Sequence, residues 1–399
     1  MPEYRVTDSS GWSDIAYQQH ILHGVSRTFG LTIPQLPPPL IPVVSNGYLL
    51  CRIADTIEDA TELDSRQKAD FAALFAGAVR GEVDAEAFAA PLFAQLGDNT
   101  PAAERDLVRH TARVIRITRS FSAAQQQALT RCVARMLEGM VHFQLHARAD
   151  GLDDLRSLSS YCYHVAGVVG EMLTDVYCDY CPSMAPHREE LMSLSLSFGQ
   201  GLQLTNILKD NWDDLERGVC WLPRATLRRH GIEGSNLQQA RGSVPFGAAL
   251  NELIAIAHAD LRRALRYSLL IPASETGLRR FCLWSIGLAL QTLQRLHRNP
   301  AYRSGEDVKV SRSALTCTVV LTNLCTRWDT PLRLLFELNA RGLPAPLSNT
   351  LRAADLRVDY RLPEPDQRQA ASQAMSVDVQ TDTTVTAGSQ DPPQAIALP

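Results

Sequence analysis

The sequence predicts an all-α protein, and three observations carry that expectation. Apolar residues recur at helical spacing over long stretches, above all 104–118, 125–147, 188–214, 244–270 and 277–297. Strand-like alternation is absent, and no Asn-Gly or Asp-Gly hairpin signal stands between alternating segments. With 399 residues, 45% hydrophobic and 21% charged, the chain has enough apolar material for a sizeable core.

In chain order, a short helical segment around 14–24 leads into Ser26-Arg27-Thr28-Phe29. The prolines at 34, 37, 38, 39 and 42 cannot lie inside a helix, so they mark the start of one near Val43. Helical patterning continues over 65–79 and breaks at 98–101. After a polar connection at 150–160 comes Tyr161-Cys-Tyr-His164-Val-Ala-Gly167-Val-Val-Gly170-Glu171. Gly167 and Gly170 are poor residues for an isolated helix, and together with Ala166 they point to close approach by another helix or a ligand. Tyr161, His164 and Glu171 read as one face of that segment. The 188–214 helix ends or kinks at Arg217-Gly218 and Pro223, and a last helix is expected over 332–343. Residues 1–362 are expected to form one domain. The Ser/Thr/Gln/Pro-rich stretch 363–399 has no periodicity and is expected to be a disordered tail.

Composition excludes some functions. A net charge of −4 without a basic stripe gives no support for nucleic-acid binding. No apolar run reaches the length of a membrane span, and the acidic N-terminal residues do not resemble a secretory signal. Nine cysteines, mostly single within apolar helical segments, suit a reducing, cytoplasmic setting. Cys178-x-x-Cys181 lacks the second pair a zinc site needs, and Glu138, His142 and His146 read as a polar helix face.

Two stretches carry the chemistry. Tyr48 to Asp59 reads YLLCRIADTIED, and Leu202 to Pro223 reads LQLTNILKDNWDDLERGVCWLP. Each has aspartates four residues apart, Asp55/Asp59 and Asp210/Asp214, with a further acid, Glu58 or Asp213, three residues after the first. On a helix these share a face, so each segment presents clustered carboxylates that repel one another. Tyr48, Arg52, Asp55 and Asp59 form a narrow polar stripe on an otherwise apolar helix, as do Gln203, Asn206, Asp210 and Asp214. One such motif alone reads as an acidic turn on an exposed helix. Two matched motifs, each beside a cation (Arg52, Lys209), instead suggest hard divalent cations shared with phosphate oxygens.

At these residues the chain resembles the squalene/phytoene synthase family of head-to-head prenyl transferases. Five landmarks occur in order: Ser26-Arg-x-Phe29, Tyr48-x-x-x-Arg52-x-x-Asp55-x-x-Glu58-Asp59, Tyr161-Cys-x-x-Val-Ala-Gly167, Asn206-Ile-x-x-Asp210-x-x-x-Asp214, and Leu222-Pro223. The resemblance implies an isoprenoid-synthase fold, a single-domain helical bundle around a central cavity. Two farnesyl diphosphates would lie there against opposed acidic helices bridged by magnesium, or by manganese in its place. The implied catalytic positions are Tyr48, Arg52, Asp55, Asp59, His164, Asp210 and Asp214. Ser26, Arg27, Phe29, Arg52, Tyr161, Gln203 and Lys209 would contact substrate. The implied metal positions are Asp55, Glu58, Asp59, Asn206, Asp210 and Asp214.

Phe281-Cys282 and Lys309-Val-Ser-Arg312 resemble the squalene-synthase branch, which reduces its product with NADPH. No strand-bound G-x-G-x-x-G is present, so a nicotinamide would be held by Arg27, Arg52, Asn206, Lys209, Phe281, Lys309 and Arg312. Three positions depart from the family pattern. His164 stands where tyrosine is common, and Lys309 and Arg312 are one residue further apart than in animal and fungal enzymes. Val219 stands where arginine is frequent, with Arg217 two residues earlier as its expected substitute. The alternatives are a phytoene, dehydrosqualene or presqualene diphosphate synthase and, in a different class, a non-catalytic helical assembly or lipid-carrier relative. An apolar product handed to a membrane by peripheral contact is a further expectation.

Overall fold

The computed structural model describes residues 9, 11–26, 28–146 and 148–345. Arg27 and the stretch 363–399 therefore lie outside the described residues, as does the expected boundary at 362. Sixteen α-helices account for most of the described chain, and no strand occurs there beyond a single parallel bridge between Leu152 and Pro223.

The N-terminal half holds α1 (Asp14–Val25), α2 (Phe29–Thr32), α3 (Ile41–Asp59), α4 (Ser65–Arg80), α5 (Ala85–Gln95), α6 (Ala102–Arg109), α7 (Thr111–Ser120) and α8 (Ala123–Leu145). α3 begins two residues before the expected start, because Pro42 fits the first turn, where its missing N–H has no partner to lose. Reciprocal capping boxes start α4 (Asp64 with Gln67) and α8 (Ser122 with Gln125). The 104–118 periodicity is split into α6 and α7 at His110, whose ψ of 24° leaves the helix.

The second half holds α9 (Leu155–Cys162), a π-helical turn (Tyr163–Gly167), α10 (Val168–Tyr180), α11 (Arg188–Glu216), α12 (Arg224–Arg229), α13 (Val244–Leu270), α14 (Thr276–Arg298), α15 (Arg312–Cys325) and α16 (Asp329–Ala340). α11 and α13 pack side by side along the core, where Trp212 meets Phe246 at 5.1 Å between ring centroids. Gly170, read as a contact position, is one, and Gly199 on α11 is another. A Cβ on Gly170 would stand 2.6 Å from the Ser195 carbonyl oxygen, and one on Gly199 would stand 2.6 Å from that of Ala166. α11 thus presses directly against the π turn and α10.

Buried polar groups tie the bundle. Asn46 on α3 donates to Gln18 (3.2 Å) and to the Val114 carbonyl (2.9 Å) and accepts from Thr118 (2.7 Å), joining α1, α3 and α7. The buried Arg279 guanidinium donates to the Ile271 and Thr326 carbonyls and meets Asp329 at 2.8 Å, which fixes the start of α16 on α14. All nine cysteines are free thiols. No helix among the described residues is long and apolar enough to cross a membrane.

Candidate active site

α3 and α11 face one another across a cavity of about 910 Å³. Tyr48, Arg52, Asp55, Glu58 and Asp59 line one side and Gln203, Asn206, Lys209, Asp210, Asp213 and Asp214 the other. The two polar stripes, separated by some 150 residues of sequence, therefore open into one space. The remaining wall is mostly apolar, with Val44, Met172, Leu173 and Phe198 among its side chains. Phe29 sits 5.0 Å from the Tyr48 ring and 6.3 Å from that of Phe281, closing part of that wall.

Six carboxylates line the cavity against three cations, Arg52, Lys209 and Arg217. Burial, reinforced by Asp55 and Asp59, pushes the Glu58 carboxyl up to about 8. Burial and the neighbouring Asp59 push Asp55 up to about 6, although Arg52 opposes them. Asp214 is raised by burial too, in spite of its pairing with Arg217. All three are raised because burial penalises the charged carboxylate and the nearby cations do not fully offset it.

Each cation already touches an acid. Arg52 pairs with Glu104 from α6 and lies 3.5 Å from Asp55, while Lys209 lies 2.6 Å from Asp210. Burial works against the Arg52 charge, but Asp55 and Glu104 outweigh it and hold its pKa above the ordinary arginine value. Arg217 pairs with Asp214 and reaches across to Asp59 at 3.5 Å, and both it and Val219 line the cavity. Asp213 is partly engaged elsewhere, accepting the Gly305 N–H at 2.9 Å.

The carboxylates suit a hard cation by donor chemistry and by their unbalanced charge. Among the described residues no three His, Cys, Asp or Glu side chains converge closely enough to enclose a metal on their own. Carboxylate oxygens are the donors magnesium takes, one or two at a time, with water and phosphate oxygens completing its shell.

Several predicted residues are placed differently from the expectation. His164 does not line the cavity. Its Nδ1 lies 2.8 Å from the Ser160 carbonyl, and its Cβ packs where Gly139 has none; a Cβ there would be 2.2 Å away. Burial lowers its pKa, so the ring is neutral and donates to that carbonyl. The expected face of Tyr161, His164 and Glu171 does not form either. The π turn advances the helix phase by one residue, roughly 100°. The wall is instead Tyr161, Val165, Ala166, Val169 and Gly170, while Glu171 pairs with Arg135 at 2.9 Å.

Ser26 is a helix start: its Oγ accepts the Phe29 N–H at 2.9 Å and it does not line the cavity. Lys309 and Arg312 are also off the cavity wall. Lys309 is held by Glu306 at 2.6 Å, and Arg312 is exposed at the start of α15. Tyr161 lines the cavity stacked on Trp221 at 3.9 Å and 10°.

Sequence reasoning missed Glu104, the buried partner of Arg52, and Gln144, which donates to Glu58 at 3.4 Å. Neither stands in a motif; only the fold brings α6 and α8 to α3. Leu222-Pro223 has a structural account, since Leu152 donates to the Leu222 carbonyl at 3.0 Å across Gly151, whose φ of +106° favours glycine.

The chain is 24% identical over 322 residues to a squalene synthase of Eremothecium gossypii, covering 80% of this chain and 70% of that protein. It is 27% identical over 310 residues to squalene synthase 8 of Panax ginseng, covering 76% and 73%. Among solved structures, TcSQS with the ligand BPH1237 superposes at a TM-score of 0.67 and 21% identity, covering 86% of this chain and 94% of that one. A dehydrosqualene synthase in complex with a ligand superposes at 0.56 and 20%, covering 77% and 94%. At these identities the superpositions establish the all-α isoprenoid-synthase fold. The squalene/phytoene synthase family model matches residues 22–314, most of the chain. The chain belongs to the squalene/phytoene synthase family of enzymes.

Proposed function

We propose that the chain is a farnesyl-diphosphate farnesyltransferase of the squalene synthase kind. It joins two farnesyl diphosphates head to head into presqualene diphosphate and reduces that with NADPH to squalene. One observation carries the reading: two carboxylate-bearing helices open into a single apolar-walled cavity and are linked there by Arg217.

In this reading Asp55, Asp59, Asp210 and Asp214 hold the metal, with Glu58 and Asn206 beside them. Bound magnesium supplies positive charge that offsets the carboxylates and the departing diphosphate. Arg52, Lys209 and Arg217 bind diphosphate oxygens, exchanging their present carboxylate partners for substrate. Cations fixed in advance stabilise the negative charge that develops as the allylic C–O bond breaks. Phe29, Phe281 and Phe198 keep water from the allylic cation, which would otherwise be captured as an alcohol.

For the reductive half, Arg52, Asn206, Lys209 and Phe281 stand on the cavity wall, whereas Lys309 and Arg312 do not. Of the seven residues read as holding a nicotinamide, four therefore line the cavity, two lie off it, and Arg27 is outside the described residues. That placement favours a second reading, in which the product leaves unreduced as in a dehydrosqualene or phytoene synthase. The cytoplasmic setting belongs to the same proposal and rests on the nine free thiols.

The test is product analysis by mass spectrometry after incubation with farnesyl diphosphate and magnesium, with and without NADPH, and with geranylgeranyl diphosphate in parallel. Squalene formed only with NADPH supports the first reading. An unchanged spectrum replaces it with the second, and no condensation product from either substrate rejects both.

A further inference from the structure

The most unusual surface lies on α15 and α16, away from the catalytic cavity. Ten large apolar side chains are exposed among the described residues, and six of them fall between 320 and 338: Val320, Leu321, Leu324, Trp328, Leu334 and Leu338. Trp328 is 60% exposed and Leu324 65%. Single exposed apolar residues are ordinary, but six on one helical hairpin are not. The opposite faces of both helices are buried, through Thr318 and Thr322 on α15 and Leu332, Phe336 and Ala340 on α16. The hairpin therefore buries one side and leaves an apolar stripe outside.

The unpaired charges around this stripe have one sign. Arg312, Arg327, Arg333 and Arg341 have no carboxylate partner among the described residues. The hairpin's two acids are both taken, Asp329 by Arg279 at 2.8 Å and Glu337 by Arg262. The chain as a whole carries −4, so this corner is cationic against the overall balance. Beneath the hairpin lies a groove of about 590 Å³ with an apolar floor that includes Leu290 and Phe336. Two more arginines without a carboxylate partner among the described residues, Arg295 and Arg298, stand on its rim. The one carboxylate there, Asp307, accepts the Arg303 N–H at 2.8 Å.

We propose that the outer face of α15 and α16 docks on an anionic lipid surface. Exposed leucines and a tryptophan enter the interface between head groups and chains, and the arginines pair with lipid phosphates. A second copy of the chain is a poorer occupant. A two-fold contact would bring the same unpaired arginines together without acids to meet them. The inference stands on the surface alone and is independent of the reaction proposed above.

The test uses the full chain in sedimentation with phosphatidylcholine vesicles, with and without phosphatidylglycerol. Binding is expected only with phosphatidylglycerol, weakening at high salt, with a blue shift of tryptophan emission that Trp328→Phe removes. Leu324→Glu with Leu338→Glu should abolish it at unchanged helical CD. Arg327→Gln with Arg333→Gln should weaken it about fivefold for each arginine removed. The proposal is overturned by equal binding to neutral vesicles, or by double variants that bind like wild type. Absence of sedimentation with either vesicle also overturns it, and turns attention to a cover supplied by the chain itself or by a second copy.

Discussion

Arg217, just beyond the end of α11, stands 3.5 Å from Asp59 at the end of α3 and also pairs with Asp214. One guanidinium thus links the two acidic motifs. Replacing it with alanine is expected to raise the Asp214 pKa further, since the Arg217 bond and charge are what oppose burial there. The acid limb of the pH–activity profile should move to higher pH. A profile that does not move, with kcat/KM also unchanged, would show that Arg217 has no part in the site.

Asp55→Asn and Asp210→Asn each remove a charge from one side of the cavity. Each is expected to lower turnover by at least about a hundredfold while the helical CD signal stays intact, the scale seen when a charge-stabilising group is lost. Near wild-type kcat in either variant would remove that aspartate from the machinery.

Glu58 makes a prediction about stability. Its carboxyl keeps a proton up to about 8, whereas in the unfolded chain it loses it near 4.5. Between those values the folded state binds more protons than the unfolded one, so stability falls as pH rises through the window. Asp55 adds to the fall up to about 6. The Tm in metal-free buffer should therefore decline from pH 5 to 8, and Glu58→Gln should flatten the decline. Magnesium should raise Tm more at pH 8 than at pH 5. If neither the variant nor magnesium alters the slope, the carboxylate cluster is not what causes it.

Gly139 and His164 test the packing at the π turn. Gly139→Ala would place a Cβ 2.2 Å from that of His164, and overpacking of this kind costs about 1–3 kcal/mol. Chemical denaturation should show the loss, although alanine is the better helix former. His164→Tyr is expected to keep substantial turnover, because His164 does not line the cavity. A complete loss of turnover, with unfolding unchanged, would show that this pocket is built around the imidazole.

The sequence by itself determined the helical class, the main helix limits and the two acidic stripes. Each of these depends on residues within a few positions of one another, where 3.6-residue periodicity, prolines and caps act directly. The tertiary structure decided what those stripes meet. It brought Glu104 to Arg52, Gln144 to Glu58 and Arg217 to Asp59 across separations of 52, 86 and 158 residues, which no local pattern encodes. It also turned His164 into the packing against Gly139 by a single extra residue in the π turn. Local spacing places a side chain on a face of its helix, but the phase of that helix and the identity of its neighbour are settled only when the helices pack.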